Sequence, residues 1–138
     1  MSKYIQGYYV PINPDKYSGD TSNIIYRSSW ERIAFKWLDL SKEVISWSSE
    51  SIIVHYVSPI DNKNHRYYPD LWLKTIDNEF LVEIKPEKEC KPPVKKGKFY
   101  NKRLKTYIIN KAKWNAAELY CKFHHMKFKI ITEKTLIR

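Results

Sequence analysis

The sequence predicts a mixed α/β (α+β) fold in the order helix–three strands–helix–strand, with a mixed sheet flanked by helices. Three observations carry this reading. Trp30, Ile33, Ala34, Trp37 and Leu38 recur at i, i+3, i+4, i+7 and i+8, the spacing of one helix face. From Val44 to Lys85 the chain is rich in β-branched and aromatic residues, with turn residues between the runs. A second helical stretch then leads into an alternating run, Lys127 to Thr132. With 138 residues, 43% of them hydrophobic, one domain spanning 1–138 can bury a real core.

The elements follow in order. Residues 1–25 hold Pro11, Pro14, Gly19 and the tyrosines Tyr4, Tyr8, Tyr9 and Tyr17. They read as an extended N-terminal arm whose tyrosines pack on the core or on a partner. A helix runs from Ser29 to Leu40, with Ser28 and Glu31 forming an S-x-x-E start signal. Val44 to Trp47 and Ile52 to Val57 are strands or a bent strand pair, and Ser58 to Asn62 is a turn. His65 to Thr75 and Phe80 to Lys85 form a hairpin about Asp77-Asn78. The charged stretch after it, broken by Pro92, Pro93 and Gly97, predicts a mobile basic loop over 86–102. The second helix runs from about Lys102 to Phe123, with Leu104, Ile108, Ala112, Ala116, Leu119 and Phe123 as its buried face.

A turn at Asp77-Asn78 pairs Leu73 with Val82, Leu71 with Ile84 and Asp70 with Lys85. Side chains alternate between sheet faces, so Leu71, Leu73, Phe80, Val82 and Ile84 share the core face. Asp70, Glu83 and Lys85 then share the other, and a one-residue slip would break both patterns. Two carboxylates suit Mg²⁺, which takes few acids together with water and phosphate oxygens; Mn²⁺ can substitute. A Lys beside them can orient a water or neutralise developing charge. The trio therefore reads as a candidate site for phosphodiester hydrolysis. Glu31 is open between two roles, helix cap and site acid. His65 and Arg66 precede Asp70 on what reads as the same strand. His65 and the pair His124-His125 read as surface residues, and Trp72 falls on the site face.

The formal net charge is +10. From Lys85 to Lys113 eleven basic residues face only Glu87 and Glu89, a local net of +9. Such a clustered field beside a metal site points to a polyanion, most simply nucleic acid. Candidate DNA contacts are Arg27, Arg66, Lys95, Lys96, Lys98, Lys102, Arg103, Lys111 and Lys113. The two cysteines, Cys90 and Cys121, have no zinc spacing, and free thiols fit a reducing cytoplasm. No run reaches transmembrane length. Neither a membrane partner nor a nucleotide cofactor is expected.

The order of elements, with Pro69-Asp70 and Glu83-Ile84-Lys85 at its centre, resembles the PD-(D/E)xK nuclease superfamily over roughly residues 26–133. That resemblance implies a restriction-endonuclease-like core. A fuller pattern is narrower: Asn13-Pro14, Tyr17, Arg27-Ser28-Ser29-Trp30-Glu31, Val57-Ser58-Pro59-Ile60-Asp61, His65-Arg66-Tyr67-Tyr68-Pro69-Asp70 and Glu83-Ile84-Lys85-Pro86. It resembles the head-completion nucleases of T4-like tailed phages and, more distantly, the transposon subunit that cuts at 5′ ends.

The resemblance implies a Mg²⁺-dependent DNA endonuclease acting on double-stranded DNA or DNA ends. It also implies a role in finishing the filled phage head, portal or neck proteins as partners, and a place in the cytoplasm of the infected host or in the virion. Asp70 and Glu83 would bind the metal with the Ile84 main-chain carbonyl. Lys85 would be catalytic, and Glu31 would add a helix acid that holds a second metal or a water. Asn110, Lys111 and Lys113 are candidates for a completing group on the second helix. Two other readings compete: a nuclease of transposition, repair or restriction, and a non-catalytic protein that binds DNA ends or the portal.

Overall fold

The computed structural model describes residues 3–136, with side chains from Gln6 onward. In chain order the elements are β1 (Lys3–Tyr8), β2 (Ile25–Ser28), α1 (Ser29–Leu40), β3 (Val44–Ser49), β4 (Val54–Val57), β5 (Asn64–Tyr67), β6 (Leu71–Thr75), β7 (Glu79–Ile84), α2 (Tyr100–Phe123), β8 (Lys127–Ile131) and α3 (Glu133–Leu136). The main sheet has the order β3-β6-β7-β8. Its first three strands are antiparallel, and β8 lies parallel to β7. A parallel neighbour requires a long crossover, which α2 supplies. The expected mixed sheet with flanking helices is thus present.

Both faces of this sheet are covered. On one, Leu71, Leu73 and Val82 pack with Ala34, Phe35 and Leu38 of α1 around Trp47, and Phe80 and Ile84 border them. On the other, Leu81 packs with Trp114, Ala117 and Cys121 of α2 and with Val54, Tyr56 and Tyr67 of a β4–β5 ribbon. Strand β7 therefore carries apolar residues on both faces, Phe80, Val82 and Ile84 on one and Leu81 on the other, as strands buried on two sides do. The face expected to carry Glu83 is a second core, and that changes the chemistry of the acid.

The register differs from the sequence expectation. Leu71 pairs with Val82 and Leu73 with Phe80, a slip of two residues. The loop is Ile76-Asp77: the Thr75 N–H donates to the Asn78 carbonyl at 2.8 Å, and the Asn78 N–H donates to Thr75 Oγ1 at 3.2 Å. Thr75 can close the turn from its side chain as well as its backbone, which favours the earlier position. Because the slip is even, every side chain keeps its predicted face. The expected strand from His65 to Thr75 is two strands. β5 pairs with β4 in its own ribbon, and the chain breaks at Tyr68-Pro69-Asp70 before joining the main sheet.

Two helix faces also differ. On α1, Trp37 and Ile33 are exposed, and Trp30, Ala34, Phe35 and Leu38 are buried. On α2 the buried residues are Asn110, Trp114, Ala117 and Cys121. Leu119 and Phe123, expected inside, are exposed. α2 carries apolar residues around much of its circumference, so periodicity alone does not select a face. Small Ala117 and Cys121 let it approach the sheet while Trp114 fills the gap. The helix begins at Tyr100, two residues before the expected start, and 87–90 of the expected loop form a 3-10 turn.

The N-terminal arm is docked. Tyr9 and Tyr17 pack edge-on against Trp47, Tyr8 is exposed, and the Tyr4 side chain lies outside the described residues. Buried Asp39 accepts from the Tyr9 hydroxyl and from the Ile12 and Asn13 N–H groups at 2.7–2.9 Å. Lys16 Nζ donates to the carbonyls of Leu38, Asp39 and Ser41, where a cation suits the negative end of α1. Of the sequence pattern, Asn13 thus holds the arm on the end of the first helix, and Tyr17 holds it on β3 through Trp47 and the Ser49 N–H.

Candidate active site

One step beyond the last pair of the β6–β7 ladder, Asp70 stands opposite Glu83. Pro69 is fully buried at the strand break and fixes where Asp70 enters the sheet. Asp70 Oδ2 accepts from the Ile84 N–H at 2.7 Å, and the Asp70 carbonyl accepts from the Glu50 N–H at 3.1 Å. Its side chain therefore has one orientation. Among the described residues, Oδ1 takes no hydrogen bond and is available to a ligand.

Glu83 is buried in the second core. Its Oε1 accepts from the Tyr67 hydroxyl at 2.6 Å, and its Oε2 lies 3.6 Å from Lys85 Nζ. Tyr67 packs with Trp114 in the same core, and Lys113 Nζ sits over its ring, 5.6 Å from the centroid. The β4–β5 ribbon, β7 and α2 all converge on this carboxylate.

Electrostatics set these acids apart from ordinary surface carboxylates. Burial, with the neighbouring Glu83 charge, pushes Asp70 well above the usual carboxylate range. Burial also raises Glu83, against the Tyr67 hydrogen bond and the charges of Lys85 and Lys113. Glu31 is raised by burial first, with a smaller push from Glu50 and Glu83, and its bond from the Arg27 N–H opposes this. Each acid would be more easily ionised with a cation among them.

Glu31 caps the first helix and lies beside the acid pair. The Ser28 hydroxyl accepts from the Glu31 N–H, and Glu31 Oε1 accepts from the Arg27 N–H at 2.7 Å. This is a capping arrangement displaced by one residue, since a capping box closes on the cap's own N–H. The same carboxylate is close enough to Asp70 and Glu83 to influence both.

The structure does not gather every candidate here. Arg66 is exposed on the face of β5 opposite Tyr67. His65 is bound by Asp61 at 2.8 Å and stacked on Tyr56. Both lie on β5, not on the strand that follows Asp70, so the expectation of a shared strand is corrected. His124 stacks on Tyr120. On α2, Lys113 and buried Asn110 share the inward side, and Lys111 is exposed. Trp72 donates to Glu79 at 3.2 Å and borders the second core. Arg103 holds its loop, donating to the carbonyls of Val94 and Lys96 at 3.3 and 2.6 Å. Lys95, Lys96, Lys98 and Lys102 are exposed.

Tyr67, Trp114 and Glu50 carry no role in the sequence reading. Tyr67 lies within the run from His65 to Asp70, and alternation from Pro69 points it inward. No sequence signal marks Glu50. It adopts a left-handed φ of 50° and pairs with Arg27 Nε at 3.0 Å.

The residues present fit a hard cation of low protein coordination. Among the described residues no three His, Cys, Asp or Glu side chains converge as a complete metal cage. Two oriented carboxylates with an available oxygen suit an ion that draws its other ligands from main chain, water and phosphate.

Comparison with known proteins agrees with this chemistry. The model of the TnsA-like endonuclease N-terminal family matches residues 41–133. The head completion nuclease of Enterobacteria phage T4 is 41% identical over 139 residues, covering 94% of this chain and 92% of that protein.

Proposed function

The chain belongs to the TnsA-like endonuclease family and is a nuclease related to that of phage head completion, and on that premise we propose a metal-dependent endodeoxyribonuclease centred on Asp70, Glu83 and Lys85. The observation that carries the proposal is the oriented Asp70–Glu83 pair with Lys85 Nζ 3.6 Å from Glu83.

In this reading Asp70, Glu83 and the Ile84 carbonyl hold a divalent cation, Mg²⁺ or in its place Mn²⁺. When bound it supplies Lewis acidity and a more acidic water. Tyr67 favours the charged form of Glu83 against burial and fixes its direction. Lys85 sets positive charge where negative charge develops on the phosphate. Glu31 holds a water or a second cation from the end of α1. Lys113 extends the positive potential along α2. Lys95, Lys96, Lys98 and Lys102 supply contacts to DNA phosphates, and Arg103 shapes their loop.

The protein acts, on this proposal, on double-stranded DNA or its ends while the phage head is completed. Portal or neck proteins are its partners, in the infected cytoplasm or on the virion. The name and the close coverage of the phage T4 relative support this over transposition, repair or restriction. The retained acid pair and Lys85 weigh against a purely structural role.

Supercoiled plasmid incubated with Mg²⁺, Mn²⁺, Ca²⁺ or EDTA tests the activity. Conversion to open circles with Mg²⁺ or Mn²⁺ and none with EDTA is expected. Cleavage unaffected by EDTA would overturn the metal assignment, and no cleavage with any cation would overturn the enzyme.

A further inference from the structure

A cavity of about 310 Å³ opens beside the acids, lined by Asn23, Ile25, Arg27, Ser49, Glu50 and Tyr68. We infer that it takes one unpaired nucleobase adjoining the scissile phosphate, with Arg27 reading the base edge, Tyr68 stacking on it and Glu50 acting as the positioning residue for Arg27. The inference rests on the nuclease reading and names the substrate form it prefers.

Arg27 is presented in an unusual way. Its Nε is taken by Glu50 Oε1 at 3.0 Å, and among the described residues its two terminal nitrogens take no hydrogen bond. A guanidinium held at Nε is a fork with a fixed direction. Glu50 fixes it from a backbone conformation that non-glycine residues seldom adopt. That conformation persists where the Glu50 N–H meets the Asp70 carbonyl. The Arg27 N–H is likewise held by Glu31. One hydrogen-bonded chain therefore links the direction of the Arg27 fork to the positions of two site acids. Tyr68, two residues before Asp70, is 41% exposed on the same cavity.

Charge decides between a phosphate and a base. A phosphate site gathers uncompensated cations, as the loop at 95–102 does. Here the one cation is already matched by Glu50, so the cavity is close to neutral. A neutral base keeps the Arg27–Glu50 pair intact, whereas a phosphate would compete with Glu50 for it. An arginine fork is met best by two adjacent acceptors on a base edge, the O6 and N7 of guanine. The Asn23 amide and the Ser49 hydroxyl offer further polar contacts. A base inside a duplex does not leave its stack without cost, so an unpaired nucleotide at a tail or junction is the substrate form that fits.

The test is binding of a fluorescent DNA hairpin, blunt or with a short unpaired guanine or thymine tail, in EDTA. The wild type should bind the guanine-tailed hairpin about tenfold more tightly than the blunt one, the scale of one stacked base. In Tyr68→Ala the tailed-to-blunt ratio should fall to about one, and Tyr68→Phe should retain it. Arg27→Ala and Glu50→Ala should lose the preference for guanine over thymine, while Glu50→Gln, which still accepts from Nε, should keep much of it. Melting curves identify any variant that has not folded. Equal wild-type affinity for blunt and tailed DNA, or a preference that survives Tyr68→Ala, overturns the inference. Plasmid nicking is read separately, so loss of the nuclease reading and loss of this one are distinguishable.

Discussion

Tyr67 and Glu83 are joined across the second core by a 2.6 Å hydrogen bond from the phenol to the carboxylate. The bond opposes the effect of burial on Glu83 and favours its charged form. Tyr67→Phe should therefore raise the Glu83 pKa further. The acid limb of kcat/KM against pH should move to higher pH by about one unit, the worth of one hydrogen bond to a charged group. An unmoved limb would show that Glu83 ionisation does not set it.

The acids should lower the stability of the metal-free protein. Asp70 and Glu83 have folded-state pKa values raised above their unfolded ones. Between those values the folded state holds more protons, so stability falls as pH rises through the folded pKa. Asp70→Asn removes one charge from the pair and should raise the melting temperature at pH 7 in EDTA. Each kcal/mol gained corresponds to about 4 °C in a domain of this size. The gain should shrink at acid pH, and added Mg²⁺ should stabilise the wild type more than the variant. A variant that melts lower at pH 7 would mean that the Ile84 N–H to Asp70 bond outweighs the repulsion.

Much of this was legible in the sequence, and the failures have physical causes. The boundaries of α1 follow from Ser28 and the apolar stripe, and the structure reproduces them from Ser29 to Leu40. The hairpin faces survived a wrong turn because pairing parity, not the turn residue, sets them. The apolar residues of α2 do not fall on one side, so only the sheet it meets selects Trp114 and Ala117. The break at Pro69 was hidden by strand-forming residues on both sides. Glu50 was invisible because its role depends on a backbone conformation and on Arg27, both tertiary facts.

Glu31 caps the first helix beside the acid pair, and one substitution separates the cap from the proposed site role. Glu31→Gln keeps an oxygen for the Arg27 N–H and removes the charge. It should melt within about 1 kcal/mol of the wild type, the scale of a cap, and lose most cleavage activity. Retained activity with destabilisation only in Glu31→Ala would make Glu31 a cap alone.

The loop lysines should act through DNA phosphates. On duplex DNA, log affinity falls with log salt by about 0.9 per phosphate contact. Replacing Lys95, Lys96 and Lys98 together by Ala should flatten that slope by up to about 3 units and weaken all sequences alike. Binding over a salt series measures it. An unchanged slope would mean that the loop faces something other than DNA.

Plasmid nicking by the wild type, Asp70→Ala and Lys85→Ala, side by side in Mg²⁺, tests the central claim most directly. The account predicts nicking by the wild type and none by Asp70→Ala, which lacks the ligand while leaving both cores untouched. It predicts a rate about 10²- to 10⁴-fold lower for Lys85→Ala, the range for a positioned catalytic group. Nicking by folded Asp70→Ala at the wild-type rate would contradict it and place the active site elsewhere.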